Sequence, residues 1–148
     1  MSNIELREIN DENIKEVRAL RINDNQKSFI ETVDECLKEA EEFDEWCPVG
    51  LYHEETLVGF AMYGAFGKNP DAWIDRILID KKYQGRGFGR ASMEKLIVVV
   101  KEKYKVDKIY LSFVEENINA KNLYKSLGFK YIGEKDPNGE YIYKIDVK

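Results

Sequence analysis

The chain has 148 residues with a formal net charge of −5, two cysteines and one histidine. That length fits one domain, residues 1–148, large enough to bury a real core, and the acidic balance argues against nucleic acid, whose phosphates require a basic face. No apolar run approaches a membrane span, the first residues carry no leader pattern, and the cysteines lack metal-site spacing, so membrane and metal are not expected and the cytoplasm is the default compartment.

In chain order, residues 4–7 read as a first strand. Asp11 then caps a helix to about Arg21, with Ile14, Val17 and Leu20 on one face, and the polar run 23–26 ends it. A second helix over residues 33–45 aligns Val33, Cys36, Leu37, Ala40 and Phe43, with Glu39, Glu41, Glu42, Asp44 and Glu45 as a solvated face. Residues 49–52 and 57–63 flank the turn 53–56 as an antiparallel hairpin. A strand over 73–79, a helix over 88–103, a strand over 108–113 and a helix over 119–127 follow. The strands 129–134 and 140–145, joined by the turn Asp136-Pro137-Asn138-Gly139, end the chain.

Between the apolar strand 73–79 and the helix that starts at Phe88 lies Gln84-Gly85-Arg86-Gly87-Phe88-Gly89-Arg90. Glycines allow a tight turn and close backbone approach, and the amides of such a loop, with the positive end of the next helix, converge on negative oxygens. The P-loop is excluded because no Lys-Ser/Thr pair follows, and the dinucleotide fingerprint because its sixth position is Arg90. What remains is Gln-x-x-Gly-x-Gly, on Gln84, Gly87 and Gly89.

This loop resembles the acetyl-CoA pyrophosphate loop of the GNAT superfamily of N-acetyltransferases, and residues 114–129 resemble that family's second signature. The order of elements is also the family's. The resemblance implies an α/β (α+β) fold in which a mixed sheet of about seven strands, flanked by four helices, splays between two parallel strands to admit the pantetheine arm of acetyl-CoA. It assigns the cofactor to Gln84, Gly85, Arg86, Gly87, Phe88, Gly89 and Arg90, to the backbone of Ile77, Leu78 and Ile79, and to Asn117, Asn119 and Tyr124. Asn119 has an alternative role as a helix N-cap. For Arg86 and Arg90, simple solvation is the alternative.

Acetyl transfer to an amine requires a neutral nitrogen, a site for the developing oxyanion and an acid for the departing thiolate. An alkyl amine, with a reference pKa of about 10.4, arrives protonated. Asp75, a carboxylate in an otherwise apolar strand, is the candidate to anchor that ammonium and accept its proton, directly or through water. An ion pair with Arg76 is the competing role. The resemblance makes Tyr124 the acid; by spacing alone it would be a core aromatic beside Ala120 and Leu127.

Residues 25–31, 48–52, 58–64 and 73–76 are similar to the bacterial spermine/spermidine acetyltransferase subgroup, which implies a polyamine acceptor. Such a substrate suits spaced carboxylates, here Glu31, Glu35, Asp75, Glu115 and Glu116, and aromatic walls such as Phe29, Tyr63 and Trp73. Two alternatives stand beside it: a transferase for a peptide N-terminus, lysine or aminoglycoside, and a non-catalytic acyl-CoA-binding regulatory domain. His53 reads as solvent-exposed, Cys36 as core and Cys47 as a pre-proline loop residue without a base. The resemblance also allows a homodimer, with Tyr131, Tyr141 and Tyr143 either forming the interface or finishing the core.

Overall fold

The computed structural model describes residues 3–21, 33–68, 71–114 and 116–147. Its strands β1 (Ile4–Glu8), β2 (Trp46–His53), β3 (Thr56–Phe66), β4 (Asp71–Ile79), β5 (Lys108–Phe113), β6 (Lys130–Lys135) and β7 (Tyr141–Asp146) form a seven-stranded sheet ordered β1-β2-β3-β4-β5-β7-β6. The helices among the described residues are α1 (Ile14–Arg18), α2 (Val33–Glu42), α3 (Phe88–Tyr104) and α4 (Ile118–Leu127). This is the mixed α/β arrangement that the order of elements implied.

The sheet has helices on both faces, and β3 shows why. Its residues alternate between two apolar cores, as a strand buried on both sides must. Val58, Ala61 and Tyr63 join one core with Met93 and Leu96 of α3 and Tyr124 of α4. Leu57, Phe60 and Met62 join the other with Val17 of α1 and Val33 and Cys36 of α2. Phe60 and Leu51 are wholly buried, and each such side chain contributes roughly 1.5–3 kcal/mol by leaving water. Gly59 lets β3 lie close to β4, because a Cβ there would sit 2.2 Å from the Leu78 carbonyl oxygen.

Neighbouring strands run antiparallel except β4 and β5, which run parallel and pair only through Ala72 with Ile109 and Trp73 with Tyr110. Beyond those two rungs the strands part. On its other side β4 stays paired with β3 as far as Ile79, so one edge of residues 77–79 faces the opening.

Several local expectations change. Asp11 is not the cap of α1: Asn10 Oδ1 accepts from the backbone N–H groups of Glu12 and Asn13, while Asn13 Oδ1 accepts from the Asn10 N–H, a reciprocal clasp. The first helix then ends at Arg18 rather than Arg21. The second stops at Glu42, which leaves Phe43 outside it and half exposed. Cys47 and Pro48 lie within β2 rather than in a loop; Pro48 is tolerated because β1 pairs with β2 only from Val49 onward. The cap of α4 is Asn117, whose side chain accepts from the Ala120 N–H, and Asn119 lies inside the helix.

Candidate active site

Where β4 and β5 part, the chain opens a cavity of about 260 Å³ between β4, β5, the glycine loop and α4. Its near wall is irregular for a stated reason. Met62 pairs with Arg76 and Tyr63 with Ile74, so Asp75 is the extra residue of a β-bulge in β4. A bulge re-aims the side chains around it. Here Asp75 and Arg76 both line the cavity, followed by Ile77, Leu78 and Ile79.

The floor is the loop. Asp80, almost fully buried, caps the 3-10 turn Lys81–Tyr83 by accepting from the Lys82 N–H at 2.9 Å, and also accepts from the Arg21 N–H at 3.1 Å. Gln84 Nε2 then donates to the Ile79 carbonyl at 2.9 Å, which ties the loop back onto β4. Gly85 and Gly87 take φ of +80° and +84°, a left-handed backbone that favours glycine. A Cβ at either would meet nothing within 4 Å, so protein packing does not demand them; the backbone conformation and the open space above them do. Gly87 is also the N-cap of α3, and the helix has no side-chain cap. Its first-turn N–H groups and dipole therefore suit an anion.

Tyr124 of α4 forms the far wall, 8% exposed, its ring 5.2 Å from Phe113 and 5.9 Å from Phe129. Burial pushes its phenol up to about 12, while the nearby Arg76 charge pulls the other way. At neutral pH the hydroxyl is a proton donor. Asn117, buried at the head of α4, lines the same cavity with Asn119.

Of the residues singled out in the sequence, Asp75, Ile77, Leu78, Ile79, Gln84, Gly85, Gly87, Phe88, Gly89, Asn117, Asn119 and Tyr124 meet at this cavity. Others do not line it. Arg86 is exposed, its guanidinium carbon 5.7 Å from the Tyr83 ring centre, and Arg90 donates to Ser126 Oγ. Glu35 and Glu116 are exposed, on α2 and just before α4. Glu31, Glu115 and Phe29 lie outside the described residues. Tyr63 is no wall; it is buried in the α3 core beside Tyr104. Trp73 stacks on Tyr110 at 5.3 Å where β4 and β5 still pair.

The structure brings to the site residues that sequence reasoning did not assign to it, Arg76 reading there only as an ion-pair partner for Asp75. Arg76 and Ser112 line the cavity. Glu140, just before β7, comes within 3.7 Å of Arg76 Nη1, and Ser112 Oγ is 3.1 Å from both Glu140 Oε1 and Asp136 Oδ2. The signal available was the pair of carboxylates Asp136 and Glu140 at the two ends of the turn, which without topology read as solvent-facing. Elsewhere, His53 is half-buried, its ring 5.0 Å from Phe88. Cys47 Sγ accepts from Lys103 Nζ at 3.2 Å. Among the described residues no helix is long and apolar enough to cross a membrane.

The residues present fit the cofactor that the loop implied. The left-handed glycines and uncapped helix suit a pyrophosphate, and the free edge of β4 offers main-chain groups to an extended amide-bearing arm.

Comparison with known proteins agrees with this geometry. A family model described as acetyltransferase (GNAT) family matches residues 14–129. A probable spermine N(1)-acetyltransferase of Bacillus subtilis subsp. natto (strain BEST195) is 44% identical over 145 residues, covering 94% of this chain and 95% of that protein. A spermine/spermidine N(1)-acetyltransferase of Bacillus subtilis (strain 168) is 43% identical over the same shares. Among solved structures, spermidine N-acetyltransferase from Vibrio cholerae in complex with CoA and spermine superposes with a TM-score of 0.75 at 20% identity, over 96% of this chain and 93% of that one. An aminoglycoside N(6')acetyltransferase from Legionella pneumophila gives 0.79 at 16% identity, over 99% and 94%. At such identities the structural likeness speaks for the fold alone.

Proposed function

This chain belongs to the GNAT acetyltransferase family, an acetyl-CoA-dependent class of enzyme, and from that premise we propose that it acetylates a primary amine of a polyamine, spermine or spermidine. The observation that carries the polyamine reading is the 43–44% identity, over nearly full length, to the two Bacillus proteins with that printed activity. The cavity supplies parts for the chemistry.

Acetyl-CoA brings a thioester whose carbonyl carbon an amine can attack. The loop from Gln84 to Gly89 and the start of α3 hold the pyrophosphate, and the open edge of Ile77–Ile79 holds the arm as an added strand. Asn117 and Asn119, at the start of α4, face the arm. Asp75, turned into the cavity by its bulge, attracts the substrate ammonium and takes its proton directly or through one water. The freed nitrogen would bond to the acyl carbon and give up its second proton to solvent, while the carbon–sulfur bond breaks with its electron pair going to sulfur, which Tyr124 would protonate. Main-chain N–H groups between Ile77 and Ile79 are suited to the carbonyl oxygen as charge develops on it. Arg86 and Arg90 flank the loop and add positive charge toward the phosphates. Glu31, Glu35, Glu115 and Glu116 stand as candidates for the distal ammonium groups, with Glu31 and Glu115 outside the described residues. The reading carries a cytoplasmic enzyme with no nucleic-acid partner, and a homodimer through the half-exposed Tyr131 on edge strand β6.

The test is thiol release from acetyl-CoA with spermine, spermidine, a diamine, an N-terminal peptide and an aminoglycoside side by side, on the wild type and on Asp75→Asn. Release with the polyamines, falling about 100-fold in the variant, is the expected result. Release only with the peptide or the aminoglycoside keeps the cofactor and removes the polyamine. CoA binding with no turnover of any amine favours a regulatory binding domain.

A further inference from the structure

Arg76 is an unusual residue to find where it is. Its side chain is 11% exposed, on a strand that is otherwise apolar from Ile77 to Ile79, beside the cavity that Tyr124 closes from the other side. Taking a guanidinium out of water is costly unless its geometry is well supported. The support comes from far away in sequence. Arg76 Nη1 donates to the Asp75 carbonyl at 2.8 Å and lies 3.7 Å from Glu140 Oε1, on a side chain itself only 13% exposed. Ser112 of β5 sits between Glu140 and Asp136, 3.1 Å from each carboxylate. Asp136 in turn accepts from the backbone N–H groups of Asn138 and Glu140, both at 2.9 Å. The turn before β7 is therefore folded so that one carboxylate reaches over β5 and meets a cation on β4. That contact spans β5 beyond the point where β5 stops pairing with β4, with Ser112 of β5 joined to Glu140 beneath it.

We infer that Arg76 supplies the positive charge that stabilises the negative charge developing on the leaving sulfur and on Tyr124, and that Glu140 is the positioning residue that holds Arg76 there. This rests on the acetyl-transfer reading. When the carbon–sulfur bond breaks, its electron pair passes to sulfur; Tyr124 gives up its proton and is reprotonated from solvent before the next cycle. Both stages place negative charge in a partly buried cavity, where a fixed cation acts more strongly than in bulk water. Among the described residues, the charges facing this region are Asp75 and Arg76 from β4 and Asp136 and Glu140 from the turn before β7, with Ser112 of β5 as the neutral member. Burial alone disfavours the phenolate, and Arg76 is the charge that opposes burial at Tyr124.

The experiment compares Arg76→Gln, Arg76→Lys and Glu140→Gln, each alone and in a Tyr124→Phe background, by steady-state kinetics. It adds a titration of bound CoA, following thiolate absorbance, which requires no amine. The expected pattern is a loss in kcat of tenfold or more for Arg76→Gln, with KM for acetyl-CoA within about threefold, partial recovery in Arg76→Lys, and a smaller loss of the same kind in Glu140→Gln. In the Tyr124→Phe background, where the sulfur leaves without a proton, the Arg76→Gln change still costs about tenfold or more, because the cation acts on the sulfur itself. The thiol of bound CoA titrates at higher pH in Arg76→Gln than in the wild type.

A loss that vanishes in the Tyr124→Phe background overturns the inference, as does a change confined to KM or an unmoved CoA titration. If the wild type turns over no amine, the polyamine reading fails, and the CoA titration still decides the role of Arg76. If Arg76→Gln does not fold, Arg76→Lys and Glu140→Gln give the same test with smaller effects.

Discussion

The two ends of β4 have similar composition and opposite fates. At the first, Ala72 and Trp73 are paired on both sides, with β3 and with β5, and Ala72 and Ile74 are sealed into the α3 core. At the second, Ile77 to Ile79 pair with β3 alone and turn their other edge to a cavity. The bulge at Asp75 divides them. A strand can thus serve as structure over half its length and as a binding surface over the rest. The difference lies in what its neighbour does, because β5 is no less apolar than β4 where it turns away.

The largest effect that would break this comparison is at the ligand end. Tyr124→Phe is expected to lower kcat by roughly 100-fold or more, the range for a lost general acid, while CoA binding measured by calorimetry stays within a few-fold. Loss of binding instead would make Tyr124 a packing residue of the α4 wall.

Next comes the structural end. Ile74→Ala, at a site 2% exposed, should cost about 2–5 kcal/mol of stability in denaturant unfolding, with KM for acetyl-CoA little changed in the folded fraction. Equal damage to KM would mean that the two ends are not separable.

Gly87→Ala tests the boundary between fold and ligand. The left-handed φ of +84° strains any other residue by roughly 1–2 kcal/mol, and the added methyl group enters space that no protein atom fills. The expected outcome is a small drop in thermal stability with about tenfold weaker CoA binding. A drop in stability with unchanged affinity would make the loop a plain turn.

The smallest effect concerns pH. The folded Tyr124 phenol lies near 12, above its ordinary value of about 10, so the folded state keeps a proton that the unfolded state releases. The stability linked to it is intact below about pH 10 and is lost as pH rises through 12. Relative to Tyr124→Phe, the wild type should therefore lose about 1 kcal/mol between pH 8 and pH 11. An unchanged difference between the two proteins across that range would contradict the burial of the hydroxyl.

Most of this was legible from local signals, for a physical reason. The glycine loop, the strand before it and the helix after it are set by short-range chemistry: left-handed backbone, hydrophobic period and the missing cap. Tyr124 was legible only through family likeness, since its spacing matches any buried aromatic. Helix ends were read less well, because the Asn10–Asn13 clasp competes with Asp11 for the same backbone donors. The meeting of Arg76, Ser112, Asp136 and Glu140 escaped; from sequence Arg76 reads only as an ion-pair partner for Asp75, and Asp136 only as a turn residue. Their meeting depends on β7 inserting between β5 and β6, and no pattern within a few residues of Glu140 records that. Acidic side chains on a turn look identical whether they end in water or against a guanidinium.

The two rungs between β4 and β5 carry a further consequence. The sheet is nearly two sheets, a four-stranded one and a three-stranded one, sharing a short seam. A molecule lying in the opening supplies the missing rungs and so becomes part of the folding equilibrium. At a free concentration 100 times its dissociation constant such a ligand adds about 2.7 kcal/mol to the folded state, a large share of the margin by which domains of this size stay folded. The lifetime of the protein in a cell would then follow the supply of its own cofactor, and a chain starved of acetyl-CoA would open first along that seam.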